Sequence, residues 1–171
     1  MRSVLIVGGG CLLTLAGMGC ARFGRELLRL RDDVRAAWRE LQEALAARRE
    51  IVPYLVAGVP APAAHDLAEI IGNACDLAAH VTGVREAEQA EARLSGAIQK
   101  FWAWVDEAPE ARGAESAREL RSRLAAAEVR IAVARDIYNL RARALNSRLE
   151  TGLGWLLVQA GVIARAVPYQ P

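Results

Sequence analysis

With 171 residues the chain has room for one domain with a core of its own. Its composition is 53% hydrophobic but only 5% aromatic, so the apolar content is aliphatic and rich in Ala and Leu, which predicts an all-α protein. A net charge of +2 with balanced signs supplies no field for nucleic acid, and Cys11, Cys20, Cys75, His65 and His80 form neither a disulfide framework nor a metal-ligand spacing.

The chain opens on an uncharged run, Ser3 to Ala21, which as a helix would reach about 28 Å, close to the thickness of a bilayer core. Val4-Leu5-Ile6-Val7 before Gly8-Gly9-Gly10 imitates the start of a dinucleotide-binding unit, but Leu13 stands where the third glycine belongs and no further strands follow. A lipoprotein signal ending at Gly17-Met18-Gly19-Cys20 is an alternative, with Gly17 in place of the usual larger residue. The preferred reading is an uncleaved transmembrane anchor, residues 1–22, that runs directly into the next helix. Arg22, Arg25, Arg29, Arg31 and Arg35 follow the span and only Arg2 precedes it, so the remainder should be cytoplasmic; the lipoprotein route would place it facing the periplasm. Gly10, Thr14, Gly17 and Ala21 form a small-residue face, which suits self-association or is merely tolerated in a membrane helix.

Beyond the run, Leu27, Leu30, Val34, Trp38, Leu41, Leu45, Val52 and Leu55 recur at three- and four-residue spacing and predict one long helix, kinked late by Pro53. Arg48-Arg49 within it suits a phosphate or lipid headgroup, a solvated face, or a local ion pair. Pro60-Ala61-Pro62 ends the helix. A second pattern runs from Ala64 to Val81, and Thr82-Gly83 either breaks or bends it before Glu86–Glu107. Trp102 and Trp104 read as rings closing one end of the bundle or as membrane-interface residues. After Ala108-Pro109-Glu110 and Gly113, the last long helix opens at Glu115. Its Leu120, Leu124, Ala127, Ile131, Ala134, Tyr138, Leu145 and Leu149 form the best heptad in the chain.

Thr151 to Ala164 is again uncharged, yet Gly152, Gly154 and Gly161 predict a poor helix; the segment should cap the bundle or lie on the membrane surface near Arg165. The predicted organisation is an N-terminal anchor (1–22), an antiparallel bundle of three to four long helices (23–150) and an apolar C-terminal segment (151–171).

Trp38, the run Arg48-Arg49-Glu50-Ile51-Val52-Pro53-Tyr54-Leu55-Val56, Leu94-Ser95-Gly96-Ala97, and Glu128, Ile131, Ala132, Ala134, Arg135, Tyr138-Asn139 and Asn146 together resemble the LemA family, single-span bacterial membrane proteins with a helical bundle. The resemblance covers Trp38 to Tyr169. The chain departs from the family at Ala108-Pro109-Glu110-Ala111, at Thr151-Gly152-Leu153 and at Pro60-Ala61-Pro62. What the resemblance implies is attachment to the bacterial inner membrane, a stable bundle, and a part in organising partners or membrane.

No Ser-His-Asp, Cys-His or paired-carboxylate set is present, and neither histidine has a Glu three residues before it, so the expectation is a non-enzymatic protein without cofactor, metal or small-molecule substrate. The expected function is a membrane-anchored scaffold that forms homo-oligomers and recruits proteins. Direct lipid binding through the Arg-rich juxtamembrane turns and apolar tail is the alternative. Asn139 and Asn146, one heptad apart, and Glu128, seven residues before Arg135, are expected to fix the register of neighbouring helices by buried hydrogen bonds.

Overall fold

The computed structural model describes residues 2–57, 65–107 and 114–170, with side chains described from Gly19 onward apart from those of Val56 and 114–116. Five helices occupy this length: α1 (Arg2–Ala57), α2 (His65–His80), α3 (Val84–Glu107), α4 (Ala114–Leu149) and α5 (Gly152–Gln159). Among the described residues there is no strand. The prolines at 60 and 62 and the connection at 108–113 lie outside the described residues.

α1 is a single helix through the arginines at 22, 25, 29, 31 and 35 and on to Ala57. Among the described residues no helix is long and apolar enough to cross a membrane. The anchor expected over 1–22 is therefore not shown. It rests almost entirely on residues 1–18, whose side chains, those of Gly10, Thr14 and Gly17 included, lie outside the described residues.

α1 and α4 pair antiparallel, as a series of charge contacts demonstrates. Arg148 Nη2 meets Glu26 Oε2 at 2.7 Å, Arg141 Nη1 meets Asp33 Oδ2 at 3.9 Å, and Arg48 Nη1 meets Glu128 Oε1 at 2.7 Å, the α4 number falling as the α1 number rises. α2 and α3 form the second pair and lean on α1. Two apolar clusters follow from this pairing. Leu27, Val34, Leu41 and Leu45 of α1 meet Ile131, Tyr138, Leu145 and Leu149 of α4 in the first. In the second, Val52 and Leu55 meet Ile71 and Ala78 of α2, Leu94, Ile98, Phe101 and Val105 of α3, and Leu124. Trp102 and Trp104 pack against this second cluster around Phe101, and Arg121 lies 4.5 Å over the Trp102 ring.

Thr82-Gly83 breaks the helix, separating α2 from α3. The Gly83 N–H donates to Glu86 Oε2 at 3.1 Å, and the Ala87 N–H donates to Gly83 O at 2.9 Å, so the third residue of α3 reaches back to satisfy the donor that precedes the helix. Pro53 lies inside α1 and the helix continues through it. Proline cannot bond the carbonyl four residues back, that of Arg49, and the Cys75 thiol of α2 donates to this oxygen at 3.9 Å in its place.

The glycine-rich segment predicted as a poor helix forms α5. Packing outweighs propensity there: a Cβ on Gly154 would stand 2.6 Å from Arg148 O and 2.7 Å from Leu149 Cα, so glycine is what allows α5 to fold back onto the end of α4. Leu157, Val158, Ile163 and Ala166 then pack against the first cluster.

Candidate functional site

The place where the two helix pairs meet is polar. Arg48 of α1 and Glu91 of α3 are each only 2% exposed, and they pair through Arg48 Nη2 and Glu91 Oε2. The other Glu91 oxygen takes Arg49 Nη1. Arg48 Nη1 donates to Glu128 Oε1 of α4 at 2.7 Å and to Ser95 Oγ at 2.9 Å, while Ser95 Oγ donates to the Glu91 carbonyl at 2.9 Å. One guanidinium thus ties α1, α3 and α4 together. Burial alone would lower the Arg48 pKa and is the largest single effect; the hydrogen bonds and charges of Glu128 and Glu91 together outweigh it and leave the value raised.

A small cavity of about 110 Å³ adjoins the cluster, lined among others by Arg48, Glu91, Ser95, Glu128, Arg135 and Tyr169. Tyr169 comes from the C-terminal tail and is 1% exposed, with its hydroxyl buried. Burial first, and then the Glu91 charge, push its phenol up to about 12.

Two asparagines hold this tail in place. Asn146 Nδ2 donates to Ala166 O at 2.8 Å and Asn146 Oδ1 accepts the Ala166 N–H at 2.9 Å. Asn139 makes the same pair with Tyr169, at 2.9 and 2.8 Å. Seven residues of helix rise about 10.5 Å and three residues of extended chain cover about 10 Å, so asparagines one heptad apart match peptides three apart on a strap running antiparallel to α4. Between the two rungs the Tyr138 hydroxyl donates to Val167 O at 2.7 Å, and Gln170 N–H reaches Glu88 Oε1 at 2.7 Å. Trp38 stacks at the same place, its ring centroid 5.5 Å from that of Tyr138 and 6.2 Å from that of Tyr169.

The residues singled out in the sequence thus fall into two adjoining groups. Arg48, Arg49, Glu128, Ile131 and Arg135 gather at the charge cluster and its cavity, and Trp38, Tyr138, Asn139 and Asn146 hold the tail. Leu55 is buried further along in the second cluster, while exposed Pro53 lines an open groove with Tyr54, Leu120 and Arg123. Three expectations change. Asn139 and Asn146 bind the tail backbone instead of neighbouring helices, because the α1–α4 seam is already filled by apolar side chains. Glu128 turns to Arg48, and Arg135 pairs with its own neighbour Asp136 at 3.2 Å. Arg48 and Arg49 reach Glu91 across the bundle instead of a local partner or a solvated face. Glu91 and Tyr169 were not singled out. Glu91 carried a signal nonetheless, since it stands at the buried spacing of Ala87, Leu94 and Ile98 on α3.

Arg48 and Arg49 are each opposed by a carboxylate, and the Ser95 hydroxyl donates to the Glu91 backbone carbonyl. Burial raises the Cys75 thiol, with Arg49 acting the other way, which leaves a poor nucleophile. Among the described residues no group of three or more His, Cys, Asp or Glu is placed to hold a metal ion. The arrangement fastens helices together.

Fold and site therefore define a class: an all-α bundle whose two helix pairs are joined by a buried ion-pair cluster and closed by a C-terminal strap. The LemA family model matches residues 37–163, which contain the cluster and both asparagines. The chain belongs to the LemA family. A search of the curated proteins finds no match.

Proposed function

We propose that this LemA protein is a non-enzymatic scaffold held in the bacterial inner membrane by residues 1–22, with its bundle on the cytoplasmic side recruiting protein partners. The observation that carries the reading is the continuity of α1 from Arg2 to Ala57, which makes the apolar run and one wall of the bundle a single rod. A protein built this way holds its surfaces at a set distance from whatever grips the run. The pairing of the cluster's charges, with Arg48 and Glu91 buried, favours a holding role over chemistry. Crosslinking in native membranes, followed by identification of the captured chains, tests the reading: reproducible protein adducts support it, and their absence would sink it. A reporter fused after Pro171 tests orientation. Activity of a cytoplasmic reporter is expected, and activity of a periplasmic one would favour the lipoprotein or periplasm-facing arrangement.

A second reading, direct lipid binding, draws on one specific observation. Leu153, Trp155, Leu156 and Val162 are exposed at the bundle end where α1 carries Arg22, Arg25 and Arg29, an apolar and basic combination suited to an anionic interface. Flotation of a fragment beginning at Arg22 with anionic vesicles discriminates the two. Salt-sensitive binding supports lipid action, and failure to float removes it.

A further inference from the structure

α4 has two apolar faces. The inner face, from Leu124 through Ile131 and Tyr138 to Leu149, is buried in the bundle. The outer face carries Val129, Val133, Ile137 and Leu140, which are 65%, 55%, 39% and 59% exposed. At 100° per residue these four fall within a wedge of about 80° that lies roughly opposite Ile131. A helix serving only one core would present polar residues there.

The charges beside this outer stripe are basic. Arg130 and Arg141 flank it on one side, Arg141 standing 3.9 Å from Asp33 of α1, and Arg118 and Arg143 flank it on the other, all exposed. The two carboxylates near it are engaged by their own neighbours, Glu119 by Arg123 and Asp136 by Arg135. Over its whole length α4 carries eight arginines against four carboxylates.

α2 is its counterpart. Ile70 and Leu77, one heptad apart, are 48% and 42% exposed. Asp66, Glu69, Asn73 and Asp76 surround them, also exposed, and α2 contains no Lys or Arg. Its sixteen residues span about 24 Å, enough to cover the roughly 17 Å from Val129 to Leu140. Within one chain α2 packs on α3 and α1, and both outer faces are exposed, so the molecule does not cover one with the other.

We infer that the outer face of α4 in one copy docks on the outer face of α2 in the next. Apolar residues meet apolar residues, and arginines meet carboxylates. The same α4 face turned on itself would bring arginine flanks together, which disfavours a symmetric α4–α4 dimer. A contact between two different faces is heterologous, so each added copy presents a fresh α4 or α2 face and the assembly extends along the membrane or closes into a ring. The inference rests on the scaffold reading for its purpose, yet the two fail separately: the bundle could capture other proteins without ever binding a second copy.

The test uses full-length chains in native membranes, with the natural cysteines replaced and a short bismaleimide as crosslinker. Co-expressed Val133→Cys and Ile70→Cys chains should give a mixed dimer, while neither chain alone gives one. Arg130→Glu with Arg143→Glu on the first chain should cut the mixed dimer by about tenfold, and Asp66→Lys with Glu69→Lys on the second should restore it. That restoration also excludes misfolding as the cause of the loss. Dimers from Val133→Cys alone would overturn the inference in favour of a symmetric α4 contact. Absence of the mixed dimer while a photo-crosslinker at Val133 labels lipid would overturn it in favour of a membrane surface. Absence of the mixed dimer while other proteins are captured would overturn it and leave the scaffold reading standing.

Discussion

At Glu91 one carboxylate answers two guanidinium groups, and the stability of the bundle's middle depends on that balance. Glu91→Gln leaves Arg48 with Glu128 as its remaining carboxylate and takes from Arg49 the one it pairs with, and should cost about 3 kcal/mol, read as a fall in the urea midpoint. Removing both charges is milder than removing one, so Arg48→Met with Glu91→Leu should melt closer to the parent than either single change. Tyr169 makes the opposite case. Its hydroxyl is buried without a hydrogen-bond partner among the described residues, so Tyr169→Phe should leave stability at neutral pH unchanged or slightly raised. The phenol also sets a pH dependence. Its folded value of about 12 lies above the ordinary 10.0, so its contribution is complete below pH 10 and is lost as pH rises towards 12. Tyr169→Phe should therefore flatten the decline in stability between those limits, measured as the difference from the parent because Tyr138 is raised by burial as well.

The helices themselves were legible because their cause is local. Leu27, Leu41 and Leu45, or Leu124, Ile131 and Leu145, declare their buried face by spacing alone, and each is in a core cluster. The partner of an asparagine is not local: Asn139 bonds a peptide thirty residues away, and nothing between the two positions announces the fold-back at Gly154 that brings the tail there. Glu91 was half legible, an acid on an apolar stripe, but its two arginines lie on another helix. The strap makes an element-level prediction. Asn139→Ala and Asn146→Ala each remove two hydrogen bonds and should each cost about 1–3 kcal/mol. Amide exchange at Ala166 and Tyr169 should accelerate while the α1–α4 amides remain protected. Loss of protection throughout α4 would mean that the asparagines set helix register after all. Gly154→Ala should release α5 by a different route, since its methyl group would meet backbone that cannot yield, and the exchange pattern should spread from α5 into the tail.

For the molecule as a whole, the described core begins at Phe23 and Leu27, so a chain starting at Arg22 should unfold cooperatively at the same temperature as the full-length protein in detergent. A markedly lower melting point would show that the apolar run carries part of the bundle's stability. The charge is divided between two helices of the same body, basic along α4 and acidic along α2, although the chain's net charge is only +2. The composition therefore concealed a polarity that only the arrangement of helices reveals. The strap, finally, imposes an order in time. At about 5–20 residues per second, Tyr169 is added to the chain roughly one to four seconds after Leu149. Until the tail docks, the cavity beside Arg48 and Glu91 lacks the Tyr169 ring that lines it. That ring can be seated only once α4 presents Asn139 and Asn146 to the tail.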